Sequence, residues 1–119
     1  SGFGRTGALW AGGDVVPDLL CVGKALGGGL PLSACIGSRR VMDAWGASKG
    51  EALHTQTFLG HPPACATALA VLDLLDSEQI PARCAAIGQR LTEGCQALGF
   101  RVRGRGLMLG VETGTSSFA

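Results

Sequence analysis

The sequence predicts an α/β fold, on three observations. Short apolar runs suited to strands alternate with segments of helical period. Turn-forming glycines separate them: 20 in 119 residues, concentrated at 2–13, 23–29 and 104–110. Finally, 46% of the residues are hydrophobic, enough to build a core for one ordinary domain.

Taken in order, Pro17-Asp18 marks a turn, and Leu19-Leu-Cys-Val22 reads as a short, fully buried strand. Lys24 follows that strand at once, ahead of Gly27-Gly-Gly29. Leu32-Ser-Ala-Cys-Ile36 is a second strand candidate, residues 39–45 a short helix and residues 46–61 a loop. Pro62-Pro63 open a helix to about Leu75 that is apolar nearly all round and therefore expected to be buried. Ser77 is placed to cap the next helix. There Ile80, Cys84, Ile87, Leu91, Cys95 and Leu98 recur at steps of three and four, and Gly99 ends it. Phe100-Arg-Val-Arg103 and Leu107-Met-Leu-Gly-Val111 supply further strands.

Ten basic and nine acidic side chains leave a net charge of +1, which gives no electrostatic footprint for nucleic acid or an anionic membrane. The five cysteines are dispersed, without a C-x-x-C, among apolar or small neighbours. They read as small buried hydrophobes in a reducing cytosol rather than as disulfides or a zinc site. No apolar run approaches the ~18–20 residues that crossing a bilayer takes, so a soluble cytoplasmic protein is expected. The first residue falls directly inside a glycine-rich turn, and the chain reads as a piece of a longer protein.

Several motifs fail on their chemistry. Gly2-Phe-Gly-Arg-Thr-Gly7 matches the dinucleotide fingerprint G-x-G-x-x-G, but no strand precedes it and Gly12-Gly13 leave space for barely one helical turn. A structural turn is the better reading. Around Gly23-Lys24 a phosphate loop would need glycine where Asp18 stands and Ser or Thr where Ala25 stands. His54, His61 and Cys65 match no metal-ligand spacing, so no metal is expected.

Lys24 is the one residue whose setting suggests reactivity. At the carboxyl end of a buried strand it occupies the edge where α/β sheets bind ligands. Desolvation among Val22, Ala25 and Leu26 would lower its pKa and free a neutral amine to attack an aldehyde. Nearby glycines let a planar group approach the backbone. On spacing alone, a lysine with its stem on the sheet and its ammonium in water stands slightly ahead.

Read together, four blocks resemble class III aminotransferases, pyridoxal-phosphate enzymes of fold type I. They are Ser1-Gly-Phe-Gly-Arg-Thr-Gly7; Pro17-Asp-Leu-Leu-Cys-Val-Gly-Lys24 running through Gly-Gly-Gly to Ala34; His54-Thr-Gln-Thr57-Phe-Leu-Gly-His-Pro62; and Arg103-Gly-Arg-Gly-Leu-Met-Leu-Gly-Val-Glu112. The resemblance implies that Lys24 holds pyridoxal 5'-phosphate as a Schiff base and later moves a proton at the substrate Cα. It implies that Thr57 (rather than Thr55) contacts the cofactor phosphate across a homodimer interface. It also implies a mainly parallel sheet flanked by helices, with residues 1–76 in the cofactor-binding large domain and 77–119 beginning the small C-terminal domain. A phosphate turn, a stacked aromatic, a pyridinium-pairing carboxylate and a carboxylate-binding arginine are expected outside the chain, leaving this piece inactive alone. Arg103 and Arg105 could attract a substrate carboxylate or simply sit on the surface. The implied reaction moves an amino group from an amine or amino acid to a keto acid or aldehyde. Aminomutase, racemase or decarboxylase chemistry on the same scaffold, and a non-catalytic fragment, are the rival readings.

Overall fold

The computed structural model describes residues 1–114; the last five residues of the expected second domain lie outside the described part. Strand β1 is Leu19–Val22 and β2 is Ala34–Gly37; α1 is Arg39–Met42 and α2 Pro62–Ser77. Helix α3 is Ile80–Ala97, followed by β3, Arg101–Arg105, and β4, Met108–Glu112. One 3-10 helix, Lys24–Gly27, leads out of β1 and another, Asp43–Trp45, continues α1. The chain divides into two compact units, residues 14–73 on one side and residues 1–13 with everything from Leu74 on the other.

In the 14–73 unit, β1 and β2 pair antiparallel, with Leu19 opposite Gly37 and Cys21 opposite Cys35. The strands described form only antiparallel pairs, β1 with β2 and β3 with β4, so the parallel sheet that the resemblance implies is not formed by them. Nor is β1 buried as its apolar run predicts. Its residues alternate between exposed and half-buried, because among the described residues neither face of this two-stranded pair is fully covered. The 27–29 glycine turn packs on α2: a Cβ at Gly28, where φ is +58°, would lie 2.9 Å from Val71 Cγ2. Helix α2 buries Ala64, Ala68 and Leu75 but leaves Leu69, Leu72 and Leu74 exposed, against the expectation of burial all round.

The other unit is built on close backbone approach. The Gly2–Gly7 segment is a tight turn closed by Gly7 N–H donating to the Gly4 carbonyl at 2.9 Å, with Phe3 stacked edge-on against Trp10. Left-handed backbone at Phe3, Gly4 and Gly7 makes the reversal. The turn abuts α3: a Cβ on Gly7 would sit 3.1 Å from that of Ala85. Leu107 N–H donates to the Arg5 carbonyl at 2.8 Å, tying the β3–β4 turn to the same place.

Helix α3 departs from its sequence reading along its stripe. Cys84 and Gly88 are buried and Thr92 and Cys95 half-buried, while Ile87, Leu91 and Leu98 are exposed. The lack of a side chain at Gly88 decides this rotation, since it lets α3 meet the backbone at Gly106. Ser77 is the last residue of α2 rather than a cap; the residue before α3 is Gln79, held at φ +49° without a side-chain capping bond. The end of α3 is as expected. Phe100 N–H bonds to the Cys95 carbonyl and Gly99 N–H to that of Gln96, the six-to-one and five-to-two pair of a Schellman motif around left-handed Gly99.

The cysteines also differ from expectation. Cys84 is buried and Cys95 half-buried, but Cys21, Cys35 and Cys65 are exposed, and all five are free thiols. The first two lie on the open strand pair, and Cys65 lies on the outer side of α2.

Candidate active site

Lys24 is positioned by backbone conformation more than by side-chain contacts. Strand β1 stops at Val22, Gly23 continues extended, and Lys24 then turns to φ +47°. A left-handed residue with a Cβ costs roughly 1–2 kcal/mol, and such strain collects where a functional group must be held in one direction. The turn is secured behind it. Leu26 N–H donates to the Gly23 carbonyl, Gly28 N–H to that of Ala25 and Leu30 N–H to that of Gly27. Leu26 and Gly27 are buried beneath.

The lysine lines a cleft of about 360 Å³. Residues 30–33 form one wall, and Gln56, Phe58, Leu59 and Gly60 form the other. Its lining surface is divided about evenly between polar and apolar atoms; its polar side chains are Lys24, Ser33 and Gln56, and Lys24 is the one charged residue among them. That composition suits a ligand that combines an apolar body with a polar edge, and the volume lies within the usual ~300–1,000 Å³ of small-molecule sites. The Lys24 side chain is nevertheless exposed, so the apolar surroundings that the sequence suggests for it are not supplied by the described residues.

Thr57 is placed differently. It sits on the exposed 57–60 turn, between cleft residues Gln56 and Phe58, but does not itself line the cleft. The turn is held by Leu59 N–H donating to the Gln56 carbonyl and His61 N–H to that of Phe58. The helix behind it is a poor anion site by itself: Pro62 and Pro63 contribute no N–H, and Cys65 N–H already bonds to the His61 carbonyl. Ser33 and Gln56 lie inside the Pro17–Ala34 and His54–Pro62 blocks of the sequence. Each stands one residue from a recognisable feature, and nothing in its own type announces a role.

Arg103 and Arg105 line a separate cavity of about 500 Å³ within the other unit, beside Thr6. Arg105 donates to the Ala11 carbonyl, and among the described residues the buried Thr6 hydroxyl has no hydrogen-bond partner. Asp18 forms an exposed ion pair with Arg40 at 3.4 Å. Among the described residues no group of three or more His, Cys, Asp or Glu side chains comes together to hold a metal. None of the described helices is long and apolar enough to cross a membrane.

The family model for class-III aminotransferases matches residues 1–118. Among curated proteins, the acetylornithine aminotransferase of Mycolicibacterium smegmatis is 40% identical over 117 residues, which are 93% of this chain and 29% of that protein. The ornithine aminotransferase of a Geobacillus species is 38% identical over 124 residues, 98% of this chain and 30% of its own length. Among solved structures, the ornithine aminotransferase of Toxoplasma gondii superposes with a TM-score of 0.83 at 36% identity, covering 94% of this chain and 28% of that one. That crystal shows partial occupancy of pyridoxal phosphate at its active site. The acetylornithine aminotransferase of Elizabethkingia anophelis gives 0.81 at 37% identity, over 98% of this chain and 31% of that one. The chain thus spans under a third of the length of these relatives. With a family match over 118 of 119 residues, and an α/β arrangement shared with solved members, the chain belongs to the class-III aminotransferases.

Proposed function

We propose that the protein is a pyridoxal-phosphate-dependent aminotransferase in which Lys24 carries the cofactor covalently on its Nζ. The observation that carries this reading is Lys24 as the one charged residue lining a cleft of cofactor size, in a chain of this family. The residues present fit the carbonyl end of the group: an accessible amine, apolar side chains for a ring, and Ser33 and Gln56 for its polar edge. They do not provide a phosphate site within the same cleft. Thr57, exposed and outside its own cleft, is suited to serve a second copy, and we assign it to the phosphate of the partner subunit in a homodimer. Residues 1–76 then belong to the cofactor-binding domain and 77–119 to the start of the small one.

Bound there, pyridoxal phosphate supplies the electron sink that makes the Cα–H of an amino substrate acidic. Lys24 would hold the group through its Nζ and, once released to the substrate amine, would be placed to take and return the Cα proton. The relatives' names support an ornithine-type ω-amine as donor and a keto acid as acceptor. Five free thiols support a reducing, cytoplasmic setting.

The test is borohydride reduction of the intact protein with pyridoxal phosphate, followed by peptide mapping. A pyridoxyl label on Lys24 is expected. A label spread over Lys24 and Lys49 alike, or none, refutes the assignment. Release of a keto product from ornithine or N-acetylornithine separates transamination from racemase or decarboxylase outcomes.

A further inference from the structure

Arg101, Arg103 and Arg105 stand at alternate positions of β3, so they share one face of the β3–β4 pair. The register decides what each one meets. Arg101 lies opposite Glu112 and pairs with it at 3.4 Å, whereas Arg103 lies opposite Gly110 and Arg105 opposite Met108. Among the described residues neither Arg103 nor Arg105 forms an ion pair. Glycine at 110 leaves room for Arg103 to lie across the sheet: a Cβ there would stand 3.4 Å from its Cγ and Nε. Arg105 donates to the neutral Ala11 carbonyl, which leaves its charge uncompensated. Both arginines line the cavity of about 500 Å³ that Thr6 also lines. Thr6 is only 6% exposed, and its hydroxyl is the unpartnered one.

We propose that this cavity is a carboxylate-binding site, in which Arg103 and Arg105 hold the carboxylate oxygens and the Thr6 hydroxyl donates a further hydrogen bond. A guanidinium presents its N–H donors in a planar fork that matches a carboxylate, and it stays charged throughout the ordinary pH range. Buried polar groups are hydrogen-bonded as a rule, so the Thr6 hydroxyl also requires a partner. The requirement is the same whether the cavity is open or covered in the intact protein. Open, it takes a carboxylate from solution. Covered, it takes an Asp or Glu from the covering segment, because buried guanidiniums left unpaired are strongly destabilising. The cavity lies within one compact unit and does not rest on Lys24 carrying a cofactor.

Phenylglyoxal modification of the intact protein, mapped by peptide mass spectrometry, separates the two sources. With a carboxylate from solution, Arg103 and Arg105 both react, and glutarate slows them by roughly tenfold while inorganic phosphate, or chloride at equal ionic strength, does not. Thr6→Val should then raise the glutarate concentration needed by about tenfold, the loss of one charge-assisted hydrogen bond. With an internal Asp or Glu, both arginines resist the reagent with nothing added. Arg103→Met should then lower the urea midpoint, and Arg103→Lys, which keeps the charge, should retain most of it. Arginines that react without protection by glutarate would overturn the proposal, as would protection shared by phosphate or chloride, or protection unmoved in Thr6→Val. Shielded arginines whose Arg103→Met variant is as stable as the wild type would overturn it too.

Discussion

Two glycines of one helix provide a pair of substitutions with opposite expected signs. Gly88 and Gly94 both lie in α3, where alanine is intrinsically better than glycine by about 1 kcal/mol. At Gly94 an added Cβ meets nothing within 4 Å, so Gly94→Ala should stabilise the protein by about 0.5–1 kcal/mol. At Gly88 the same methyl would stand 2.7 Å from the Cα of Gly106, and closer still to its carbonyl group. Carbon atoms rest about 3.5–4.0 Å apart, so the two backbones must separate by roughly 1 Å. The Gly106 backbone cannot simply retreat, because its own Cβ position already faces the Arg5 carbonyl and Gly7 N–H at 2.6 and 2.7 Å. Overpacking of this kind costs about 1–3 kcal/mol, with rigid backbone on both sides placing it at the upper end. After the helix-propensity gain, Gly88→Ala should destabilise by about 2 kcal/mol. Urea midpoints of the two variants, read at unchanged slope, measure both values. A Gly88→Ala protein as stable as the wild type would refute the close packing of α3 on the β3–β4 turn.

If Thr57 serves the partner's site, mixing Lys24→Ala and Thr57→Ala subunits should restore activity that neither has alone, to about a quarter of the wild-type level for random pairing in a two-fold dimer. No recovery after unfolding and refolding the mixture together would place both residues in one subunit's site. Gly28→Ala adds a side chain at φ +58° and 2.9 Å from Val71 Cγ2, so the Lys24 turn should lift from α2. The expected result is a loss of roughly 1–3 kcal/mol in stability, with slower pyridoxyl labelling of Lys24 under native conditions; labelling at the wild-type rate would refute the support. The hydrogen bond with Cys21, followed by slight desolvation and the Cys21 charge, raises the Cys35 thiol above its ordinary range. A raised pKa means less thiolate at a given pH, so Cys35 alkylation should rise at more alkaline pH than in Cys21→Ala, where iodoacetamide rates should shift acid-ward; superimposable profiles would sink this.

The candidate site was legible wherever chain-local chemistry decides it. The lysine after a short strand, the glycines behind it and the Schellman end of α3 at Gly99 all depend on neighbours within a few residues, and each appears as read. What spacing could not give was the partner of each face. The 80/84/87/91/95/98 stripe treats every apolar residue of α3 as equal. The observed contact turns toward Gly88, because a residue without a side chain is invisible to a hydrophobic pattern yet decides where backbone can come closest. The cap at Ser77 failed for a related reason. Helix α2 runs on through that residue, and the reversal falls at Gln79, a non-glycine residue in left-handed backbone that no propensity would favour.

Burial was misread in one consistent direction, and the cause is physical. Leu19, Ile36, Leu69, Leu72 and Leu74 were expected inside and are 43–65% exposed. A helix apolar all round, or a strand apolar on both faces, is built to be covered on more than one side. Sequence records that requirement whether or not the covering atoms are among those described. Each of those leucines and isoleucines removed from water would contribute about 1.5–3 kcal/mol. In a protein as long as its relatives, which are over three times this span, such cover is available from the remainder of the chain or from a second copy. Lys24 is subject to the same requirement. Its amine is exposed among the described residues, and the desolvation that nucleophilic chemistry requires would have to come from the same additional cover. A Lys24 that labels with pyridoxal phosphate in the intact protein, but not in the isolated 119-residue segment, would locate that contribution outside these residues; equal labelling in both would show that the strained turn alone suffices.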